Sequence, residues 1–220
     1  VTLTSAELLI NKNLTIDGGT SPVTVTRSTA GATPQFRIFN VQGGSTVSMN
    51  ALVVSNGDDP VQAGGIQNSG TLTLTNMHVT GNRALQSGGI QNDAVLNLSN
   101  SSVTFNQSAV TGGGMSVFGA GSTTLSNCTF FGNQAGENAG AIDLLGAGGV
   151  TTITSCTISG NTSVDPGAGI YVGGLVTLRN SIVVGNQRNG IPDDLNAGVL
   201  QATSAFNVVG TGGGLINGVN

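Results

Sequence analysis

Residues 64–82 read GGIQNSGTLTLTNMHVTGN, and residues 88–106 read GGIQNDAVLNLSNSSVTFN. Eleven of these nineteen aligned positions are identical. The same frame returns, with small insertions, from residues 113, 140 and 168. A fixed period of this length is typical of repeat proteins, in which each unit buries its apolar face against the next unit. The sequence therefore predicts a repeat architecture.

Two columns of apolar residues define the register of the repeat. The first column recurs every 24 to 28 residues and comprises Met49, Leu74, Leu98, Leu125, Ile153 and Leu178. The second column keeps step with it and comprises Ile66, Ile90, Met115, Ile142 and Ile170. Between the columns, apolar residues alternate with small polar ones, as in residues 71–75. This period of two, rich in β-branched residues, predicts strands with one buried face.

A repeat of about 25 residues has room for one coil of three short strands, and coils stack at the ordinary interstrand spacing of about 4.8 Å. Connections between parallel strands are almost always right-handed. The predicted fold is therefore all-β: a right-handed parallel β-helix, or β-solenoid, with three sheets and about 7–8 coils. We expect one domain over residues 1–220, as a fragment of a longer chain. It comprises degenerate coils over 1–62, regular repeats over 63–186 and a fading coil over 187–220.

The composition excludes several classes of protein. The 220 residues include 36 Gly, 26 Thr and 23 Asn, but only six Lys or Arg and ten Asp or Glu. A charged fraction of 7% is far below the roughly 25% of ordinary soluble domains, which argues against helical bundles and coiled coils. Six scattered cations offer no patch for nucleic acid. Apolar runs are too short for direct membrane insertion by this segment.

Asparagine recurs in two columns that we predict to be structural ladders, because stacked side-chain amides can hydrogen-bond along the axis of a solenoid. The first ladder comprises Asn76, Asn100, Asn127 and Asn180. The second ladder comprises Asn82, Asn106, Asn133, Asn161 and Asn186. Neutral amides suit stacked positions because like charges about 5 Å apart would repel each other.

Glycine pairs precede the second apolar column, and we predict that they form turns with positive φ. These pairs are Gly64–Gly65, Gly88–Gly89 and Gly113–Gly114. Cys128 and Cys156 lie at equivalent positions of consecutive repeats. This spacing predicts a stacked pair of buried thiols, with a disulfide along the axis as the alternative.

The repeat frame resembles the bacterial right-handed parallel β-helix repeat proteins, which are large secreted or surface-anchored chains. It is also similar to the polymorphic outer-membrane protein repeat, whose short signatures are Phe-x-x-Asn and Gly-Gly-Ala-Ile. The first signature matches residues 130–133, and the second matches residues 139–142 with one departure. The resemblance implies the β-helix fold and an extracellular or cell-surface location.

Parallel β-helices also include polysaccharide lyases and glycoside hydrolases, whose sites need clustered carboxylates. The adjacent pairs Asp58–Asp59 and Asp193–Asp194 would point to opposite faces of a strand, so we predict solvated turn residues. The single histidine, His78, excludes a histidine-based metal cluster and is expected at an exposed strand position. We predict no catalytic residue, no metal and no cofactor.

One outward column could hold a sugar chain, because it carries amides, one acid and one aromatic ring. It comprises Gln67, Gln91, Ser116, Asp143 and Tyr171. An outward threonine column is similar to the regular arrays of ice-binding solenoids, although Asn97 interrupts it; it comprises Thr73, Thr124, Thr152 and Thr177.

The function that we predict is a non-enzymatic extracellular structural or adhesive β-solenoid segment of a bacterial surface protein. Its expected partners are a surface glycan, a host or cell-surface molecule, or another copy stacked end to end into filaments, because bare coils expose strand edges. The alternatives are a carbohydrate-binding or polysaccharide-degrading β-helix module and an ice-binding solenoid.

Overall fold

The protein is built from stacked β-strand coils. The computed structural model describes residues 1–146, 148–197, 200–201, 203–211 and 218–219. Within these residues the regular secondary structure is β-strand alone, and no helix has the length and apolarity needed to cross a membrane. Each regular coil contributes one strand to each of four sheets, numbered here in the order in which residues 64–87 pass through them.

The strands form four long ladders. Sheet 1 contains Leu8–Ile10, Phe39–Val41, Ile66–Asn68, Ile90–Asn92, Met115–Val117, Ile142–Leu144, Ile170–Val172 and Leu195–Ala197. Sheet 2 contains Leu14–Asp17, Thr46–Asn50, Thr71–Thr75, Val95–Ser99, Thr123–Ser126, Val150–Thr154 and Leu175–Arg179. Sheet 3 contains Thr2–Leu3, Val23–Arg27, Leu52–Ser55, His78–Thr80, Ser102–Thr104, Thr129–Phe131, Thr157–Ser159, Ile182–Val184, Val208–Val209 and Gly218–Val219. Sheet 4 contains Asp58–Gln62, Arg83–Gln86, Gln107–Ser108, Gln134–Ala135, Thr162–Ser163, Gln187–Arg188 and Ile191–Pro192.

The predicted register is confirmed. Leu74 pairs with Met49 on one side and with Leu98 on the other, and the column continues to the end of sheet 2. In sheet 1, Ile90 pairs with Ile66 and with Met115 in the same way. These side chains are buried in one continuous apolar core that runs along the axis. The eight strands of sheet 1 agree with the predicted number of coils.

The structure has one sheet more than the three predicted. From Asn82 to Asn186, each buried ladder asparagine precedes a strand of sheet 4, and several of these strands have only two residues, such as Gln107–Ser108. Strands this short carry no alternating pattern, so periodicity in the sequence does not reveal them. The extra sheet gives each regular coil four sides.

The buried asparagine column is a continuous hydrogen-bonded ladder. Nδ2 of Asn106 donates to Oδ1 of Asn133 at 3.0 Å, and Nδ2 of Asn133 donates to Oδ1 of Asn161 at 2.9 Å. The same bond joins Asn82 to Asn106 and Asn161 to Asn186, both pairs lying one coil apart. Each Oδ1 also accepts the backbone N–H of the preceding asparagine, and each Nδ2 donates to a backbone carbonyl, as in Asn133 to Val103 at 2.9 Å. The ladder therefore satisfies buried backbone groups as well as its own amides.

A carboxylate completes this ladder. Asp194 is 1% exposed, and its Oδ1 accepts both the backbone N–H and Nδ2 of Asn186 at 2.8 Å. Its Oδ2 accepts the backbone N–H of Thr211 at 2.9 Å and the Thr211 hydroxyl at 3.0 Å. All the side-chain donors of the ladder point toward this end, so an acceptor-only group suits the last position.

The second asparagine column is exposed and has a different local role. Asn76, Asn100, Asn127 and Asn180 have φ between 49° and 53°, in the left-handed region that asparagine tolerates better than most residues. Nδ2 of Asn127 donates to Oδ1 of Asn100 at 2.8 Å, and Nδ2 of Asn76 donates to Oδ1 of Asn50 at 2.9 Å. This column forms the turn between sheets 2 and 3.

The glycine pairs do not adopt positive φ, so the turn interpretation of these residues is wrong. They permit close approach between coils instead. A Cβ on Gly89 would lie 2.4 Å from the carbonyl oxygen of Gly114 and 3.1 Å from the Asn106 amide. A Cβ on Gly65 would meet the carbonyl oxygen of Gly89 at 2.5 Å. Glycine is needed here because the carbonyl oxygen of the next coil, with a buried asparagine amide beside it, occupies the space that a Cβ would need.

The two cysteines lie in consecutive coils, both buried and both free thiols. The Cys128 thiol donates to the carbonyl of Ser126 at 3.2 Å, and the Cys156 thiol donates to that of Thr154 at 3.3 Å. The side-chain interaction with Cys128, together with burial, raises the pKa of Cys156. A protonated thiol is a weak nucleophile, so Cys156 acts as apolar packing.

Candidate functional site

The predicted glycan column is in register but closed to solvent at its centre. Gln91, Ser116 and Asp143 are 2%, 0% and 1% exposed, so the expectation of an outward, accessible face is wrong for these three. Gln67 and Tyr171, above and below them, are half-buried. A sugar chain could not reach the middle of this column without displacing protein.

The corner segments that lead into sheet 1 cover this column. The Thr111 hydroxyl donates to Oδ2 of Asp143 at 2.5 Å, and the Ser87 hydroxyl donates to Oε1 of Gln91 at 3.4 Å. The Cα of Gly112 lies against Oγ of Ser116, since a Cβ there would be 1.9 Å away. Burial raises the pKa of Asp143. Corner conformation depends on the neighbouring coil, which explains why alternation along one strand did not predict this covering.

The two acidic pairs contribute to structure and are not uniformly solvated, contrary to the turn prediction. Asp59 is 7% exposed, lies 3.0 Å from Nη2 of Arg37 and accepts two backbone N–H groups. Asp58 lies 3.6 Å from Arg27. In the other pair, Asp194 ends the buried ladder, while Asp193 accepts a backbone N–H at 2.9 Å. In the part of the chain that the structure describes, all four carboxylates therefore contact arginine side chains or N–H groups of the protein itself.

A concave surface lies on the outer side of sheet 3, in a region that we call the sheet 3 groove. It is a shallow groove of about 410 Å³. Its rim is formed by the exposed turn asparagines and its floor by outward residues of sheet 3; these are Asn76, Asn100, Asn127, His78, Ser102 and Thr129. None of the lining residues carries a carboxylate, an ammonium or a guanidinium group. The groove therefore offers hydroxyl, amide and imidazole groups beside the apolar side chains of Pro22 and Val53, without net charge.

His78 lies on the floor of the sheet 3 groove, half-buried next to fully buried Val79. Its Nδ1 is 2.5 Å from Oγ of Ser102, the residue paired with it in the next coil. Desolvation by burial lowers the pKa of His78 below its ordinary value, so the imidazole is neutral at pH 7. No group of three or more metal-ligating side chains occurs among the described residues.

An exposed aromatic pair adjoins the groove. Phe131 lies two residues after Thr129 on the same strand and the same side of sheet 3. The rings of Phe131 and Phe105 meet edge to face, with their centroids 5.5 Å apart. They are 42% and 61% exposed, respectively. Each ring lies over a glycine of the next coil, Phe105 over Gly132 and Phe131 over Gly160.

Phe105 occupies a position where the other coils have small or turn-forming residues. The equivalent positions, each just before the ladder asparagine or its counterpart, are Asn56, Gly81, Gly132, Gly160 and Gly185, all with positive φ. Phe105 has φ of 54°, a conformation that costs a bulky residue about 1–2 kcal/mol. The change from Thr-Gly-Asn at residues 80–82 to Thr-Phe-Asn at residues 104–106 was the available sequence signal. The columns that define the register do not include this position, so they do not reveal it.

The outward threonine column is also in register. Thr124 pairs with Thr152, which pairs with Thr177, and Asn97 separates them from Thr73. The column lies on sheet 2, and its threonines are half-buried or exposed. The interruption by a longer amide side chain breaks the regular spacing of methyl and hydroxyl groups.

Comparison with known proteins agrees with the architecture. The family model described as the right-handed β-helix region matches residues 38–209, which is most of the chain. No curated protein and no solved structure gives a match. The coil stacking, the parallel sheets and this match together identify the fold and its hand. The chain therefore belongs to the right-handed β-helix family.

Proposed function

We propose that this chain is a non-enzymatic, extracellular structural or adhesive β-solenoid segment of a bacterial surface protein. The observation that carries the proposal is the buried ladder from Asn82 to Asp194, which links consecutive coils by side-chain hydrogen bonds as well as by the sheets. A rod held along its axis in this way suits a stalk or a contact surface that must keep its shape outside the cell.

The carboxylates support a structural role. The three most buried acids, Asp59, Asp143 and Asp194, each accept two or more hydrogen bonds or ion-pair contacts from protein groups. A glycosidase pair would hold two carboxyl groups about 5–9 Å apart facing a common space. The acids described here belong to separate packing environments, and the sheet 3 groove has none.

The bacterial surface location follows from the resemblance of the repeat frame to surface-anchored β-helix repeats. Charged residues make up only 7% of the sequence, and such low charge is consistent with a spacer or a contact surface. Both the location and the adhesive role are proposals.

A turnover assay tests the non-enzymatic part of the proposal. We expect the purified chain to release neither reducing ends nor unsaturated products from polygalacturonate, alginate, xylan or mannan. Asp143→Asn is the matched variant, because it removes the buried acid with the raised pKa while keeping its volume. Product formation by the parent chain that is lost in this variant would show that the protein is an enzyme.

End-to-end association is a second proposal, carried by the first coil. Leu8, Leu14 and Val23 pair with buried core residues of the next coil but are themselves 38–39% exposed. Leu8, Leu14 and Val23 are therefore a surface through which we expect copies of this chain to associate. Sedimentation of this chain tests it: a dimer supports it, and a monomer at high concentration contradicts it.

A further inference from the structure

The sheet 3 groove and the aromatic pair together form a surface whose chemistry specifies a ligand. We propose that the face formed by Phe105, Phe131, the exposed asparagines and His78 binds an uncharged glycan chain. This inference rests on the adhesive role proposed above and adds the site and the class of ligand. Nothing in the repeat architecture itself requires this surface.

Phe105 is a strained residue on the surface of the protein. A residue held in an unfavourable backbone conformation is a reason to look for function at that place. Phe105 has positive φ where the equivalent residues are glycine or asparagine, and the residue is 61% exposed. The backbone conformation opposes stability, since glycine would adopt it without steric cost. The ring packs edge to face on Phe131 and over Gly132, which leaves its exposed part available for a ligand.

The face combines aromatic rings with side-chain amides and hydroxyls. Aromatic rings present an apolar face with specific geometry, onto which the C–H face of a sugar ring can pack. Side-chain amides and hydroxyls then bond the sugar hydroxyls, and a few placed polar groups beside apolar surface are typical of ligand sites. Thr129 and Phe131 lie two residues apart on one strand, so these two parts of the face are about 7 Å apart.

The residues that line the groove carry no formal charge, and the imidazole of His78 is neutral at pH 7. A polyanion would require cations at this surface. Arg83, the nearest residue of that type along the coil, lies beyond Asn82 in sheet 4. Two rings expose too little apolar area for a stable protein interface, which usually buries about 800 Å² on each partner.

Repetition along the axis favours a chain over a single sugar. Asn76, Asn100 and Asn127 are one coil apart, which places their amides about 4.8 Å apart along the axis. A glycan laid parallel to the axis would meet one amide at each step and reach the aromatic pair at its side. Several weak contacts of this kind add because one chain makes them together.

The test is binding of the whole chain to cellohexaose, mannohexaose and xylohexaose, with hexagalacturonate as the charged comparison. Calorimetry measures the Kd, and NMR follows the side-chain amide signals of Asn76, Asn100 and Asn127. We expect at least one neutral hexaose to bind with a Kd below 1 mM, a weak affinity of about 4 kcal/mol, and to shift these signals.

The decisive variant is Phe105→Gly. It restores the residue found at Gly81 and Gly132, so the fold is retained and the melting temperature should change by less than about 3 °C. We expect it to weaken binding at least about tenfold, which corresponds to 1.4 kcal/mol. Phe131→Thr should weaken binding similarly, because the paired residue of the previous coil is Thr104. Leu175→Thr is the control, since it removes an exposed apolar side chain from sheet 2 and should leave the Kd unchanged.

Three results would overturn the inference. They are no binding of any neutral hexaose, binding of hexagalacturonate alone, and binding that survives both phenylalanine variants. None of these results would contradict the non-enzymatic structural role, because that proposal is tested separately by the turnover assay.

Discussion

Replacing Asn133 by alanine is expected to lower the free energy of unfolding by about 3–5 kcal/mol. Asn133 is fully buried, and its Oδ1 accepts both the backbone N–H and Nδ2 of Asn106 at 3.0 Å. Its Nδ2 also donates to the carbonyl of Val103. Alanine leaves these groups without their partner in a region that water does not reach, and each unsatisfied buried group costs about 1–3 kcal/mol. Denaturant unfolding measures the change in free energy. Thermal unfolding should show a fall in melting temperature of roughly 6–20 °C.

Asn127→Ala is the matched control for this prediction. Asn127 also stacks on an asparagine of the adjacent coil, but it is exposed, so water replaces the lost bond. Alanine is also less favourable than asparagine at its positive φ of 53°. We therefore expect Asn127→Ala to lower the free energy of unfolding by about 1 kcal/mol in total. Equal losses of stability in the two variants would contradict the distinction between a buried and an exposed ladder.

Replacing Gly89 by alanine is expected to cost about 2–4 kcal/mol, because overpacking a close contact forces the backbone to shift. The added Cβ would lie 2.4 Å from the carbonyl oxygen of Gly114, and the ladder amide of Asn106 blocks movement on the other side. Unfolding by guanidinium chloride gives the change in free energy.

Gly81→Ala separates steric approach from backbone conformation. Gly81 has φ of 62°, and the nearest atom to an added Cβ is Oδ1 of Asn56 at 3.9 Å. Its replacement should cost only the conformational term of about 1–2 kcal/mol. If Gly81→Ala proved the more damaging of the two, the close-approach account of the glycine pairs would be incorrect.

The sequence was sufficient to predict the coil register, because its evidence is repeated in every coil. Leu74, Leu98 and Leu125 recur at one position, and a period-two pattern surrounds each of them. The pairing of these residues in sheet 2 therefore follows from the spacing alone. The position of the asparagine columns could be predicted for the same reason.

Burial on the outer surface could not be predicted in this way. Alternation along the strand predicted that the Asp143 side chain points away from the core of the solenoid, and its register with Ser116 and Tyr171 agrees. The corner residue Thr111, from the preceding coil, then covers it. Such corners have few residues and no period, so their path depends on contacts between coils. Because these paths depend on contacts between coils, the sequence pattern also did not predict sheet 4. For the same reason it did not predict the close approach at Gly89, which was expected to have positive φ.

The aromatic pair illustrates a signal that was present but weak. A single phenylalanine at residue 105 interrupts a column of glycines, and its meaning depends on knowing that this column has positive φ. The structure supplies that information, together with the contact to Phe131. The combination identifies the candidate site on sheet 3.

The most direct test of the stacked-coil account is the distance between the Leu74 and Leu98 side chains in solution. The two residues pair in sheet 2 and are both buried in the core, so their methyl groups should give a strong NOE in a methyl-labelled sample. A similar NOE should join Leu98 to Leu125. An NOE network that connects Leu74 to Leu125 while omitting Leu98, or that connects none of the three, would contradict the account.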